Sequence, residues 1–376
     1  MEGSDTGTTR LRFNFRELAG SVGDFGTILP IVLGVALVTD LNLSTMLFFF
    51  GVWFIIAGLY YRLPIPIEPM KAVGAIVIAG SLTSAEVAAS GLVIGIFFLM
   101  AGLLKGMGRL RSYIPQSVIR GVQGGLALIL LRTAVGYGMD DLLPFAIAVL
   151  VIIGFFMLAR RTRIPDVSAL LVIALGFAGG MYLYGIPEFT LPALPVFSLP
   201  ALSLYPRVTW DLVLPQIPLT IANAILATSL LTMDLFKREV EPDRLSVTIG
   251  LMNLVSVPFG GMPMCHGAGG LAAQYHFGAR TGGANVYAGV ILFALALLFA
   301  SSDMLALFPT GILGALLVFV AMELGRHSLK TESYLVSVTM VILAFFTGMA
   351  VAFVVGIILA YAVAWHAKQR AADAEK

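Results

Sequence analysis

Long apolar runs, broken by short charged or Pro/Gly-rich connections, fill most of the 376-residue chain. Cutting at those breaks gives seven elements in each half. The first seven cover about 18–38, 44–62, 69–82, 86–104, 113–133, 143–160 and 165–186. The second seven cover about 210–234, 244–260, 264–277, 282–301, 307–325, 332–348 and 349–366. A Pro-rich stretch, 187–206, joins the halves. Most runs approach the ~20 apolar residues a helix needs to cross a bilayer. The third and tenth fall short. They lie in 65–81 (IPIEPMKAVGAIVIAGS) and 258–277 (PFGGMPMCHGAGGLAAQYHF), and each continues after its prolines as only about a dozen helix-compatible residues. Paired short, Pro/Gly-interrupted segments in corresponding halves mark the binding site of many secondary transporters.

The halves match in spacing, and seven is odd, so the second half enters the membrane from the opposite side. The pattern predicts one membrane transport domain over 1–376, an all-α polytopic 7+7 inverted repeat spanning about 13–186 and 207–366, with half-helices as elements 3 and 10.

Composition narrows the class. The chain is 59% hydrophobic and only 12% charged, about half the charge of a soluble domain, which leaves little for any soluble domain. The single cysteine, Cys265, excludes an internal disulfide and a multi-cysteine metal cluster. The polar N-terminus has no signal-peptide core, so the first span is expected to stay in the mature protein. Cytoplasmic loops collect Lys and Arg. With the N-terminus inside, 19 of the 23 basic residues fall on inner connections, among them Arg163 and Lys376. Only Arg132 and Arg207 fall outside, while Lys71 and Arg120 lie within membrane segments. That alternation works only if each short segment counts as one crossing. Both termini are therefore expected on the cytoplasmic side of the lipid bilayer, and the short loops fit a prokaryotic inner membrane.

A half-helix that starts mid-membrane leaves its first N–H groups unpaired, and lipid cannot satisfy them. The helix dipole adds roughly half a positive charge at that end. Two such ends facing each other form an anion site. Pro69 suits a first-turn position because its missing N–H costs nothing there. Lys71 then adds a full positive charge, for substrate or charge balance, unless it snorkels to the interface. Glu68 reads as a helix cap paired with Lys71, or as a proton acceptor. In MCHGAGG (264–270), Cys265 and His266 sit at the break. His266 either donates to an oxyanion or switches with protons, or is satisfied by backbone. Gly267, Gly269 and Gly270 permit close backbone approach or helix packing.

In the first span, Asp24 and Thr27 share a helical face. A buried Asp in a span is costly and marks function by default. Lys71 is its expected partner, and proton coupling and a structural ion pair are equal readings. The eighth element carries Gln216, Thr220 and Asn223 as one polar stripe, facing a cavity or a neighbouring helix. Gln116, Arg120 and Gln123 repeat that spacing on the fifth. No Ser/His/Asp set, metal-ligand spacing or nucleotide motif is present, so neither enzymatic chemistry nor a cofactor is expected.

Four segments carry a resemblance: GDFGTILPI (23–31), PIEPMKAVGAI (66–76), PQIPLTIANAILA (215–227) and PMCHGAGGLAAQYHFGARTGG (263–283). Together, and in this order, the chain resembles the molybdate transporter family, a branch of the sulfate permease superfamily. The resemblance implies a core domain that carries substrate and a gate domain. It also implies that elements 1, 3, 8 and 10 line the site. Two features depart from the wider superfamily. The chain ends about ten residues after its last span, where many sulfate permeases continue into a STAS domain. The position of Glu68 is commonly glutamine, so a carboxylate here adds negative charge beside an anion site.

The expected function is secondary active transport of a tetrahedral oxyanion, molybdate first and sulfate second, coupled to protons, by alternating access. Thr27, Pro69, Met70, Lys71, Gln216, Thr220, Asn223, Cys265, His266 and Gly267 are the candidate substrate-binding residues. Asp24 and Glu68 are the candidates for coupling or charge balance. Oxyanion, protons and bilayer are the expected partners, with a homodimer compatible and no nucleic acid. The alternatives are a sulfate/bicarbonate or nucleobase carrier of the same fold, an anion channel, or a non-transporting membrane partner. The eighth element's stripe has no carboxylate to receive nucleobase N–H groups, which disfavours the nucleobase reading.

Overall fold

Apolar sequence with internally paired backbone leaves helices as the natural spanning element, and helices form most of the described chain. The computed structural model describes residues 10–374 apart from 81, 163–166, 189, 193 and 301. Arg163, Lys376 and the last residue of the 65–81 stretch lie outside the described residues. The first repeat holds α1 (Phe15–Val38), α2 (Leu43–Tyr61), α3 (Lys71–Gly80), α4 (Ser84–Leu103), α5 (Gln116–Asp140), α6 (Leu142–Thr162) and α7 (Ser168–Tyr184). The second holds α8 (Leu202–Phe236), α9 (Pro242–Ser256), α10 (Ala268–Phe277), α11 (Gly283–Leu298), α12 (Thr310–Ser328), α13 (Tyr334–Thr347) and α14 (Met349–Ala374). Seven of these are long and apolar enough to cross a membrane on their own. At about 1.5 Å per residue, the ten-residue α3 and α10 reach only half-way.

The packing is symmetric under exchange of each helix with the one seven places on. Contact of α2 with α11 is matched by α9 with α4, and α5 with α13 by α12 with α6. In the same way α1 against α3 is matched by α8 against α10, and α5 against α12 maps onto itself. Two bundles result. The core holds α1–α4 with α8–α11, and the gate holds α5–α7 with α12–α14. They meet where α1 touches α12 and α7, where α8 touches α5 and α14, and where α3 lies against α5.

Three local features differ from the sequence reading. First, α1 is interrupted: Phe15–Ser21 and Phe25–Val38 are separated by a turn that puts Asp24 at the start of the second segment. Second, α8 begins inside the Pro-rich stretch and carries the wider π-helical winding at Thr209–Val213 and Thr220–Ala227. Such winding is frequent at functional positions. Third, the prolines do not start the half-helices. Pro69 and Met264 lie instead in extended backbone, where β1 (Glu68–Pro69) pairs antiparallel with β2 (Met264–Cys265), Glu68 opposite Cys265. Among the described residues, the helical chain thus contains one two-stranded sheet, two residues per strand, at its centre.

Buried amides hold this crossing. Asn253 exchanges two hydrogen bonds with Met264, at 2.7 and 2.9 Å. Asn285 donates to the Ile65 carbonyl at 2.5 Å. Met70 N–H donates to the Pro263 carbonyl at 3.0 Å. Each group would be an orphan in an apolar interior, so the amides are structural necessities of a sheet set in a helical bundle.

Candidate functional site

The half-helix ends are capped crosswise. At α3, the Gln216 side-chain oxygen on α8 accepts the N–H of Ala72 at 2.9 Å and of Val73 at 3.3 Å. Its amide donates to Thr220 Oγ1 at 2.9 Å. At α10, Glu68 Oε1 accepts the Gly270 N–H at 3.0 Å. A second-repeat side chain therefore caps the first half-helix, and a first-repeat side chain caps the second.

Charge gathers at the same point. Lys71 Nζ lies 3.1 Å from Glu68 Oε2 and 3.4 Å from Glu323 Oε1 on α12. The other Glu323 oxygen accepts from Thr27 Oγ1 at 3.4 Å. Asp24 is buried, and its Oδ2 has no hydrogen-bond partner among the described residues. A Cβ on Gly270 would run into both Asp24 Oδ2 and Glu68 Oε1, and one on Gly267 into the Glu68 carboxylate. Glycine is required there so that the carboxylates can lie against the backbone. Three carboxyl groups thus surround one ammonium. Two unit charges 4 Å apart at an effective dielectric of about 20 interact by about 4 kcal/mol. At this point Lys71 and the two half-helix N-termini attract an anion, and the carboxylates oppose it.

A cavity of about 640 Å³ opens onto this cluster. Glu68, Lys71, Gln216, Asn223, Cys265, Glu323 and the first α10 residues, Ala268 and Gly269, line its inner end. Arg120, Gln116, Gln123, Leu230 and His327 line the rest. Those belong to the start of α5 and the ends of α8 and α12, next to the connections rich in Lys and Arg. On the other side of α3 the bundle is shut: Ile31, Ile78, Leu313 and Leu317 are at most 2% exposed.

The family described as "Molybdate transporter of MFS superfamily" matches residues 16–130 and 208–324, more than half of the chain. The chain belongs to this molybdate transporter family. It is similar to "Molybdate transporter 2" of Arabidopsis thaliana, 34% identical over 84% of this chain and 79% of that protein. It is also similar to "Molybdate transporter 1" of the same plant at 32% identity (84% and 80%), and to "Molybdate transporter 1" of Chlamydomonas reinhardtii at 28% (87% and 86%). Among solved structures, its fold matches the transmembrane domain of the cyanobacterial bicarbonate transporter BicA, with TM-score 0.67 and 18% identity over 92% of this chain and 98% of that one. It also matches murine Slc26a9 in an inward-facing state, with TM-score 0.72 and 16% identity over 96% and 69%. The superfamily in the family's description has six-helix halves with nested repeats. The fold here is instead the seven-plus-seven type. The protein is an integral membrane anion transporter and not an enzyme.

In this molybdate transporter family member, the structure gathers Lys71, Gln216, Asn223 and Cys265 on the cavity wall. Thr27 lies just behind, reached through Glu323. Thr220 is buried against Gln216, and Pro69 and Met70 are buried in the crossing. Gly267 backs onto Glu68. His266 faces away from the cavity: Nδ1 meets the Pro66 carbonyl at 3.0 Å, and Nε2 meets Thr248 Oγ1 at 2.8 Å. Both its nitrogens serve the scaffold. Asp24 sits against α10, and the direct partners of Lys71 are Glu68 and Glu323. Glu68 caps the opposite half-helix, not its own. Glu323 is the site residue the sequence reading lacks. An acidic residue inside an apolar run is the signal that would have found it, but its closeness to Arg326 gives it an interfacial look.

Proposed function

We propose that this protein carries a tetrahedral oxyanion across its membrane, molybdate first and sulfate second, by proton-driven alternating access. One observation carries the reading: Lys71 and the opening residues of α10 meet at the end of one cavity, at the crossing of two half-helices. The anion sits there against the N–H groups of Ala268 and Gly269, with Lys71, Asn223 and the Gln216 amide as further donors. The names of the plant and algal relatives support molybdate over other anions. Proton drive is supported by the excess of carboxyl groups over Lys71, which makes an unaccompanied dianion unwelcome.

The two repeats, about 13–186 and 207–366, form a single transport domain whose core moves against its gate. The cavity reaches the side bearing the basic connections, which supports an inward-facing state with both termini cytoplasmic. The short connections support a prokaryotic inner membrane. The test is equilibrium binding of molybdate and sulfate to purified protein, with uracil as control, followed by uptake into proteoliposomes. Saturable molybdate binding that resists excess sulfate is the expected result. Sulfate binding alone reassigns the substrate, and binding of neither oxyanion overturns the reading.

A further inference from the structure

Glu323 stands apart from the other acids of the site. Asp24 and Glu68 belong to the core and are 1% exposed, fixed against the first turn of α10. Glu323 is on α12 of the gate, its side chain is 23% exposed, and it faces the cavity. Its two oxygens take the Lys71 ammonium on the cavity wall and the Thr27 hydroxyl just behind it. One lies 3.4 Å from Lys71 Nζ, and the other accepts from Thr27 Oγ1 at 3.4 Å. A carboxylate is itself a small planar oxyanion, and it occupies these donors as a substrate would. It is also a direct polar tie between gate and core at the substrate position.

We propose that Glu323 is an internal stand-in for the substrate: the arriving oxyanion displaces it from Lys71 and Thr27, and the released carboxylate takes a proton from the cavity. This rests on the oxyanion reading above. The balance is simple. The ammonium keeps its charge, one anion replaces another beside it, and the displaced carboxylate is neutralised by one proton from water on the open side. The dianion and that proton then cross together, and loss of the anion on the far side lets Glu323 give up its proton and return to Lys71. Without the exchange, Glu323 would remain a bare charge beside Asp24, Glu68 and a dianion. The other ionisable groups at this end of the cavity are His327, one turn on from Glu323 on its own helix, and Arg120 on α5, close to His327. Both line the outer cavity and offer the anion a path inward.

The mechanism also separates gate from core. While Glu323 holds Lys71 and Thr27, the empty carrier is tied. Anion plus proton removes the tie and frees the loaded carrier to move, while the empty carrier returns more slowly by breaking and remaking that one contact.

The test is equilibrium binding of labelled molybdate to purified wild type, Glu323→Gln, Glu323→Ala and Asp24→Asn between about pH 6 and pH 8. One proton taken up per anion makes wild-type affinity rise about tenfold per pH unit lowered, over the range where Glu323 is ionised when empty. Both Glu323 variants are expected to bind about tenfold or more tighter than wild type at the alkaline end, with a flat profile, because the competitor is gone. Asp24→Asn is expected to keep the slope. In proteoliposomes, Glu323→Gln is expected to retain molybdate counterflow and to lose accumulation driven by a pH gradient. A steep profile in folded Glu323→Gln and Glu323→Ala, weaker binding in both, or a flat profile only in Asp24→Asn overturns the proposal. Absence of molybdate and sulfate binding in wild type at every pH overturns the oxyanion reading instead.

Discussion

The two half-helix ends follow one plan and carry opposite charge. At α3, the amides are met by a neutral side chain, Gln216, and the first residue is Lys71. At α10, the amide of Gly270 is met by Glu68, and Asp24 presses on the same turn. Each helix contributes roughly half a positive charge at its N-terminus. Lys71 reinforces that charge at α3, and the carboxylates cancel it at α10. Charge-assisted bonds are roughly twice as strong as neutral ones, so α10 is the more firmly held end and α3 the more lightly held. The repeat supplies the geometry twice, while the side chains make one end positive and the other negative. An anion placed between them feels Lys71 from one side and must come to terms with the acids on the other.

Removing Lys71 breaks this contrast most severely. Lys71→Ala leaves Glu68 and Glu323 without their shared cation, at a cost of about 3–5 kcal/mol. The expected outcome is a large fall in thermal unfolding temperature in detergent and no molybdate uptake. Adding Glu68→Gln to Lys71→Ala is expected to restore much of the stability and none of the transport. Near-normal uptake by Lys71→Ala would remove Lys71 from the site.

The acidic end is probed by its glycines. Gly270→Ala drives a methyl into Asp24 and Glu68, an overpacking expected to cost about 1–3 kcal/mol and to abolish uptake. The neighbouring Gly269 is different, since its Cβ would lie 3.8 Å from Glu323 Oε1, an ordinary contact. Gly269→Ala is therefore expected to stay within about 0.5 kcal/mol of wild type in thermal unfolding. Equal effects at the two positions would mean that the carboxylates are not held against α10 as described.

Much of this was legible in the sequence, and the limits have physical causes. Hydropathy and basic loops delimit the fourteen elements because a bilayer imposes a fixed span and a charge bias. The half-helices were visible as runs too short to cross, and Lys71 and Glu68 as charges with no other reason to be there. What sequence spacing does not carry is which helix meets which. Glu68 looks like a cap for its own segment and Gln216 like one member of a polar stripe, and only the crossing of β1 and β2 shows each capping a half-helix of the opposite repeat. His266 looks like a ligand beside Cys265, yet in extended backbone successive side chains face opposite ways, and His266 turns to Pro66 and Thr248. Glu323 is 252 residues from Lys71, beyond the reach of any local pattern.

The neutrality of the α3 end gives a smaller effect. Gln216→Ala leaves the Ala72 and Val73 amides without their acceptor, at about 1–3 kcal/mol, with molybdate affinity falling about tenfold. Gln216→Glu keeps the acceptor and adds a charge. It is expected to hold stability near wild type while weakening molybdate binding more than the alanine does. If Gln216→Glu binds as well as wild type, the charge contrast between the ends has no bearing on the anion.

The smallest effect reads the local field directly. Cys265 is the single cysteine, lies opposite Glu68 in the β-bridge, and is on the cavity wall. Cationic and anionic methanethiosulfonates of similar size therefore report which half-helix end dominates the empty site. With three carboxyls around one ammonium, the cationic reagent is expected to react several-fold faster in the absence of molybdate, and added salt should narrow the gap. Saturating molybdate should slow both, since the anion covers the same wall. Faster reaction with the anionic reagent would mean that Lys71 and the helix dipoles outweigh the acids even when the site is empty. In that case the dianion needs no help from protons to enter.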